Sequence, residues 1–177
     1  MIYNKKNKKD GISMIEMVIY IGFLGVIAIF AVNFLILTLN SYSKSIAERA
    51  VISNARLLLE TASKAVSESQ EVYSPTSRFY TDSGQLSLIT PVGVPLEHVT
   101  AYTDFWIDNG FMHMRKEGNQ VVTLSSPTVR VNRFWVERII QGLGREAVKM
   151  TIQVSYANPR FSASTTLYST ITLRGSY

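Results

Sequence analysis

Lys8-Lys9-Asp10-Gly11-Ile12-Ser13-Met14-Ile15-Glu16 runs straight into an apolar tract over residues 17–39, and this junction decides how the rest of the chain is read. A basic leader stops at a glycine, and one carboxylate sits just inside a tract long enough to cross a bilayer, which takes about 20 apolar residues. That carboxylate is the anomaly. An ionised acid at the edge of hydrocarbon costs roughly several kcal/mol, so it marks a functional position that needs a partner. The intact chain offers no positive charge close by on the helix. Cutting after Gly11 would create one, because Ile12 would then carry a free α-ammonium one helical turn from Glu16.

The run Gly11-Ile12-Ser13-Met14-Ile15-Glu16-Met17-Val18 resembles the prepilin processing motif of type IV pilins and type II secretion pseudopilins. The resemblance implies that a prepilin peptidase cuts after Gly11 and N-methylates Ile12. It also implies that Glu16 pairs with the N-terminus of a neighbouring subunit and so sets the register of a filament. The implied partners are prepilin peptidase, other pilin or pseudopilin subunits, an inner-membrane assembly platform and membrane lipid. Two positions depart from the commonest pattern. Ile12 stands where phenylalanine is usual, and Asn33 where major pilins often carry a helix-kinking proline. The second departure favours a straighter helix and a minor-pilin or pseudopilin role.

Other readings of the apolar tract account for less. A secretory signal peptide has a shorter apolar core and a small-residue cleavage site after it, whereas Phe30-Ala31-Val32-Asn33 offers no such site. An uncleaved signal anchor carrying an extracytoplasmic binding module is the alternative of another class, and it leaves Glu16 without a role. Orientation follows from charge. Lys5, Lys6, Lys8 and Lys9 crowd one side of the span, and basic flanks stay in the cytoplasm. The remainder of the chain is therefore expected outside it, first as a single-pass inner-membrane protein and then in a surface filament. Tyr42 and Lys44 suit the far headgroup layer.

Composition bounds the rest. A chain of 177 residues has room for one domain beyond its anchor. It contains no cysteine, so the outer domain must be held by its apolar core, without the disulfide loop of many major pilins. The formal net charge is +5. Four lysines and one aspartate precede the cut and carry +3 of it, leaving a mature chain near +2. That is too mild to imply a polyanionic partner.

Past the span the helical pattern continues to residue 70. Ala47, Val51, Ala55, Leu58, Ala62 and Ala65 recur in steps of four and three and form one stripe. Arg56–Glu60 and Glu60–Lys64 stand at i,i+4 spacing on other faces. Pro75 in Tyr73-Ser74-Pro75-Thr76-Ser77 disfavours helix before it. A loop-rich segment follows, with a short strand around residues 86–89. From residue 99 the period switches to that of strands. Asp108-Asn109-Gly110 predicts a tight hairpin, since its primed turn needs positive φ, and Glu117-Gly118-Asn119 predicts a second turn. Strands are expected over 120–124, 133–139, 147–154 and 165–173.

The expected organisation is a leader at 1–11, a membrane or filament-core half-helix at 12–40, and an amphipathic half-helix at 41–70. An antiparallel sheet domain at 71–177 completes it. This is an α+β, pilin-like fold with one long N-terminal helix packed on an antiparallel sheet. Leu173-Arg174-Gly175-Ser176 after a Thr-rich strand resembles the ends of larger minor pilins and of the J-type pseudopilin.

Candidate chemistry is sparse. His98 and His113 lack cysteine or carboxylate companions at ligand spacing. Asp104 and Asp108 superficially suggest a calcium loop, but without its ligand spacing the hairpin accounts for them. Arg130, Arg133, Arg138, Arg145 and Lys149 form a basic region diluted by Glu137 and Glu146, expected to make cross-strand ion pairs; nucleic acid is not an expected partner. No catalytic set, cofactor site or metal site is legible, and the chain reads as a non-enzyme.

Overall fold

A computed structural model of the chain describes residues 13–90, 101–141 and 145–174. It divides into two units, residues 1–42 and 43–177. A single helix, α1 (Met14–Glu68), contributes to both. The second half of α1 holds no glycine or proline, so nothing in it breaks the hydrogen-bond ladder. Ala47, Val51, Ala55, Leu58, Ala62 and Val66 of that half are buried. The stripe therefore closes on Val66. Ala65, expected there, is only half-buried, because a further step of four keeps a side chain on the same face better than a step of three here.

The remaining elements are strands: β1 (Glu71–Val72), β2 (Gln85–Thr90), β3 (Ala101–Asp108), β4 (Phe111–Lys116), β5 (Val122–Thr123), β6 (Val129–Gln141), β7 (Arg145–Tyr156) and β8 (Ser164–Thr172). They form two antiparallel sheets, β1-β2-β3-β4-β5 and β6-β7-β8, where the sequence suggested one. The β3–β4 hairpin turns at Asn109 (φ 50°) and Gly110 (φ 77°), as its sequence predicts. Gly118 (φ 77°) occupies the second predicted turn.

Both sheets and the helical stripe share one apolar core. Leu86, Leu88, Phe105 and Met112 come to it from the first sheet. Val131, Phe134, Val136, Val148, Met150, Ile152 and Val154 come from the second. Burying an aliphatic side chain is worth about 1.5–3 kcal/mol, so this cluster can hold a domain that has no cross-link. The sheets meet where Gly84 donates its N–H to Phe134 O at 2.8 Å and Phe134 N donates to Asp82 O at 2.8 Å. A Cβ on Gly84 would collide with that Phe134 carbonyl, so only glycine allows this approach.

Two polar links fix the helix against the strands. Asn54 donates Nδ2–H to Ala50 O at 2.8 Å and accepts the Ser126 N–H on Oδ1 at 3.1 Å. At the helix end, Arg174 N donates to Ser69 O and Leu173 N donates to Glu146 O, each at 3.1 Å. The bond to Ser69 O occupies a carbonyl at the helix end that has no partner within the helix, and the bond to Glu146 O ties the same chain segment to β7.

Candidate membrane span and its carboxylate

The first half of α1 presents a different surface from the second. Its best apolar window is wholly unburied, and Phe23, Leu24, Phe30, Phe34 and Leu37 are each exposed. By length and composition it is a candidate single membrane span. Such a helix satisfies its own backbone, which is why it can sit in hydrocarbon. Thr38 does the same for its side chain, donating Oγ1–H to Phe34 O at 2.8 Å.

Glu16 lies in the first turn of α1, where the helix dipole favours a negative charge. Tyr20, one turn later, donates its phenolic O–H to Glu16 Oε1 at 2.9 Å. The carboxylate thus has a neutral donor on its own helix. Sequence reasoning looked only for a cation and passed over this residue, although the i,i+4 spacing of an acid and a phenol in an apolar tract was a visible signal. Of the predicted processing and topology residues, Gly11, Ile12, Lys5, Lys6, Lys8 and Lys9 lie outside the described residues.

The outer domain's polar groups are engaged with one another. A cleft of about 440 Å³ is lined by Tyr73, Thr76, Tyr102, Asp104, Arg115, Glu117 and Gly118. Inside it Arg115 Nη2 lies 2.9 Å from Asp104 Oδ2, and Glu117 Oε2 accepts the Tyr102 N–H at 3.0 Å. Asp108 accepts from Asn109 Nδ2 at 3.1 Å within the hairpin turn. Asp104 and Asp108 therefore have separate partners, one across the strands and one in the turn. His113 stacks on Trp106 with ring centroids 5.6 Å apart, and its Nδ1 is 3.1 Å from Thr123 Oγ1. His98 lies outside the described residues. No group of three or more His, Cys, Asp or Glu side chains that could hold a metal is found among the described residues.

In the basic region Arg133, Arg138 and Lys149 form ion pairs, and the Arg145 side chain lies outside what is described. Lys149 Nζ meets Glu137 Oε2 at 3.1 Å across the β6–β7 register, Arg138 Nε meets Glu146 Oε1 at 2.5 Å, and Arg133 Nε meets Asp82 Oδ1 at 2.5 Å. Arg130 lies over the Phe111 ring at 4.3 Å and Arg133 over Trp135 at 4.6 Å. The Lys149 hydrogen bond, then that from Trp135 Nε1, holds the Glu137 carboxyl below the usual range for glutamate, against the opposing effect of burial. On α1, the ion pairs within 4 Å are Lys44–Glu48 and Lys64–Glu68. The expected Arg56–Glu60 and Glu60–Lys64 pairs are not among them, since exposed charges gain too little to fix one geometry. No protein-family model, curated protein or solved structure matches the chain.

Proposed function

We propose that the chain is a prepilin, cut after Gly11 by a prepilin peptidase and N-methylated on Ile12, whose mature form is a subunit of a type IV pilus-like filament. The observation that carries this reading is the bare apolar half of α1 with a single acid, Glu16, at its start, directly after the Gly11-Ile12 junction. A helix greasy on every side needs either lipid or other such helices around it. In this mechanism the bilayer stores the subunit and the filament core then replaces the lipid. Glu16 pairs with the Ile12 ammonium of an adjacent subunit and sets the axial register. A buried charge is tolerable when paired and costly when its partner is removed, which suits a role in specificity.

The role is structural rather than catalytic. Subunits of the same kind, the peptidase, an inner-membrane assembly platform and lipid are its partners. The chain lacks cysteine and carries Asn33 inside an uninterrupted helix, which favours a minor pilin, or alternatively a pseudopilin of a type II secretion or competence system. The deciding experiment is N-terminal mass spectrometry in a host with prepilin peptidase. The expected product begins at methylated Ile12, and Gly11→Val leaves the precursor with its lysine-rich leader. A wild-type protein found intact from Met1 would overturn the proposal in favour of an uncleaved anchored module.

A further inference from the structure

β3 is the central strand of the first sheet, paired with β2 over residues 101–106 and with β4 over residues 103–108. Its side chains alternate between two faces. Phe105 belongs to the core, so Tyr102, Asp104 and Trp106 share the opposite, outward face. Two clefts lie end to end along that face. The larger, of about 440 Å³, is lined by Tyr102 together with Tyr73 and Glu117. The smaller, of about 220 Å³, is lined by Trp106 together with Gln85. Asp104 and Arg115 line both, so their ion pair marks the junction.

The rings at the two ends are fixed by neighbours. Tyr73 meets Tyr102 in an edge contact with centroids 4.9 Å apart, and His113 stacks on Trp106. At about 3.4 Å per residue, Tyr102 and Trp106 stand about 14 Å apart along the strand. Between them the polar groups are only partly used. Arg115 Nη2 donates to Asp104 Oδ2, and Glu117 Oε2 accepts the Tyr102 N–H. The other oxygen of each carboxylate, the other guanidinium donors and the Gln85 amide have no hydrogen-bond partner among the described residues.

Charge and backbone narrow what fits this face. Two carboxylates against one guanidinium disfavour a phosphate or sulfate group, and the guanidinium at the junction disfavours an ammonium. An added peptide strand needs a free sheet edge, whereas β3 is paired on both sides. A neutral ligand with apolar faces and a rim of hydroxyls meets none of these objections. Aromatic rings take its C–H faces, and planar carboxylate, guanidinium and amide groups take adjacent hydroxyls in pairs. A pyranose sugar has that chemistry. We propose that the outward face of β3 binds a short neutral oligosaccharide, with one sugar ring on Tyr102, another on Trp106, and Asp104 and Arg115 bonded to the hydroxyls between them.

The full chain, held in lipid nanodiscs so that no sugar-headed detergent competes, is applied to an array of neutral, sialylated and sulfated oligosaccharides. The strongest neutral binder is then titrated by calorimetry. The expected result is retention on neutral glycans in preference to the charged ones. Tyr102→Ala and Trp106→Ala should each weaken the titrated affinity by at least about tenfold. Tyr102→Phe, which keeps the ring, should match wild type, as should Tyr168→Ala on the exposed face of β8. Unchanged melting curves establish that each variant is folded. If a ring variant melts early, Gln85→Ala takes its place, since that amide makes no hydrogen bond among the described residues, and it too should weaken binding. Wild type that retains no neutral glycan, binding confined to charged glycans, or folded variants that bind as tightly as wild type overturn the proposal. None of these substitutions touches the Gly11-Ile12 junction, so the outcome is separate from that of the processing experiment.

Discussion

Glu16 and Tyr20 show how a carboxylate can be carried on an apolar helix before any cation reaches it. A hydrogen bond to a charged group contributes about 1.5–3 kcal/mol, most where water is scarce. On the charge pair proposed above, Glu16→Ala should leave membrane insertion intact, since it makes the apolar half of α1 more apolar, while lowering recovery in sheared filaments, since the proposed Ile12 ammonium partner would be left unpaired. Tyr20→Phe should lower recovery less, and should have no further effect in the Glu16→Ala background. Quantitative blotting of sheared filaments reads both, and wild-type recovery of Glu16→Ala would exclude the charge pair. Glu137 makes a prediction of another kind. Its carboxyl is held below the ordinary glutamate value by Lys149 and Trp135. A group with a lower pKa folded than unfolded stabilises the fold above its unfolded value, about 4.3 for glutamate, and that contribution is lost as pH falls through the folded value. Lys149→Met should thus flatten the acid limb of a urea-midpoint curve taken from about pH 6 to about pH 3. An unchanged limb would mean the pair adds nothing in solution.

The amphipathic half of α1 was legible because its period is simple and its chemistry unmixed. One residue at the end of the stripe moved, from Ala65 to Val66. Leu58 sits mid-stripe and fully buried, whereas Glu60 is exposed. Leu58→Ala should cost about 2–5 kcal/mol in a form starting at Ser41, and Glu60→Ala within about 0.5 kcal/mol. Thermal melts decide this, and equal effects would mean that the wrong helix face has been placed inward. The β3–β4 hairpin was equally readable, since Asn-Gly between apolar runs admits few other conformations. β6 was not. The register shifts between Val131 and Arg133, so the buried set steps from Val129 and Val131 to Phe134 and Val136. That slip breaks the period-two pattern, and the strand was expected only from residue 133. The division into two sheets was hidden for a related reason. The two sheets meet through backbone bonds of residues 80–84 with β6, and such bonds leave no trace in hydrophobic periodicity.

Taken as one body, the outer domain is held by apolar packing and by ion pairs among its own side chains. Asp104, the one buried aspartate among the described residues, already faces Arg115. A chelator should therefore leave the melting temperature of the full chain unmoved, and a large drop would instead assign a cation to the Asp104–Asp108 hairpin. The membrane-facing half of the candidate site was readable from sequence because a lone acid in an apolar run is conspicuous. The Tyr20 partner was missed because a phenol in such a run passes for another interfacial aromatic. One feature of the fold also governs when it can form. The bonds from Leu173 to Glu146 and from Arg174 to Ser69 tie the final strand to the start of β7 and to the end of α1, about a hundred residues earlier in sequence for the latter. Native contacts of such high sequence separation make folding slow and late, because loop closure must precede any reward. The apolar stripe of α1 would then stay uncovered until nearly the whole chain has emerged, and throughout that interval its apolar surface is open to association with other chains.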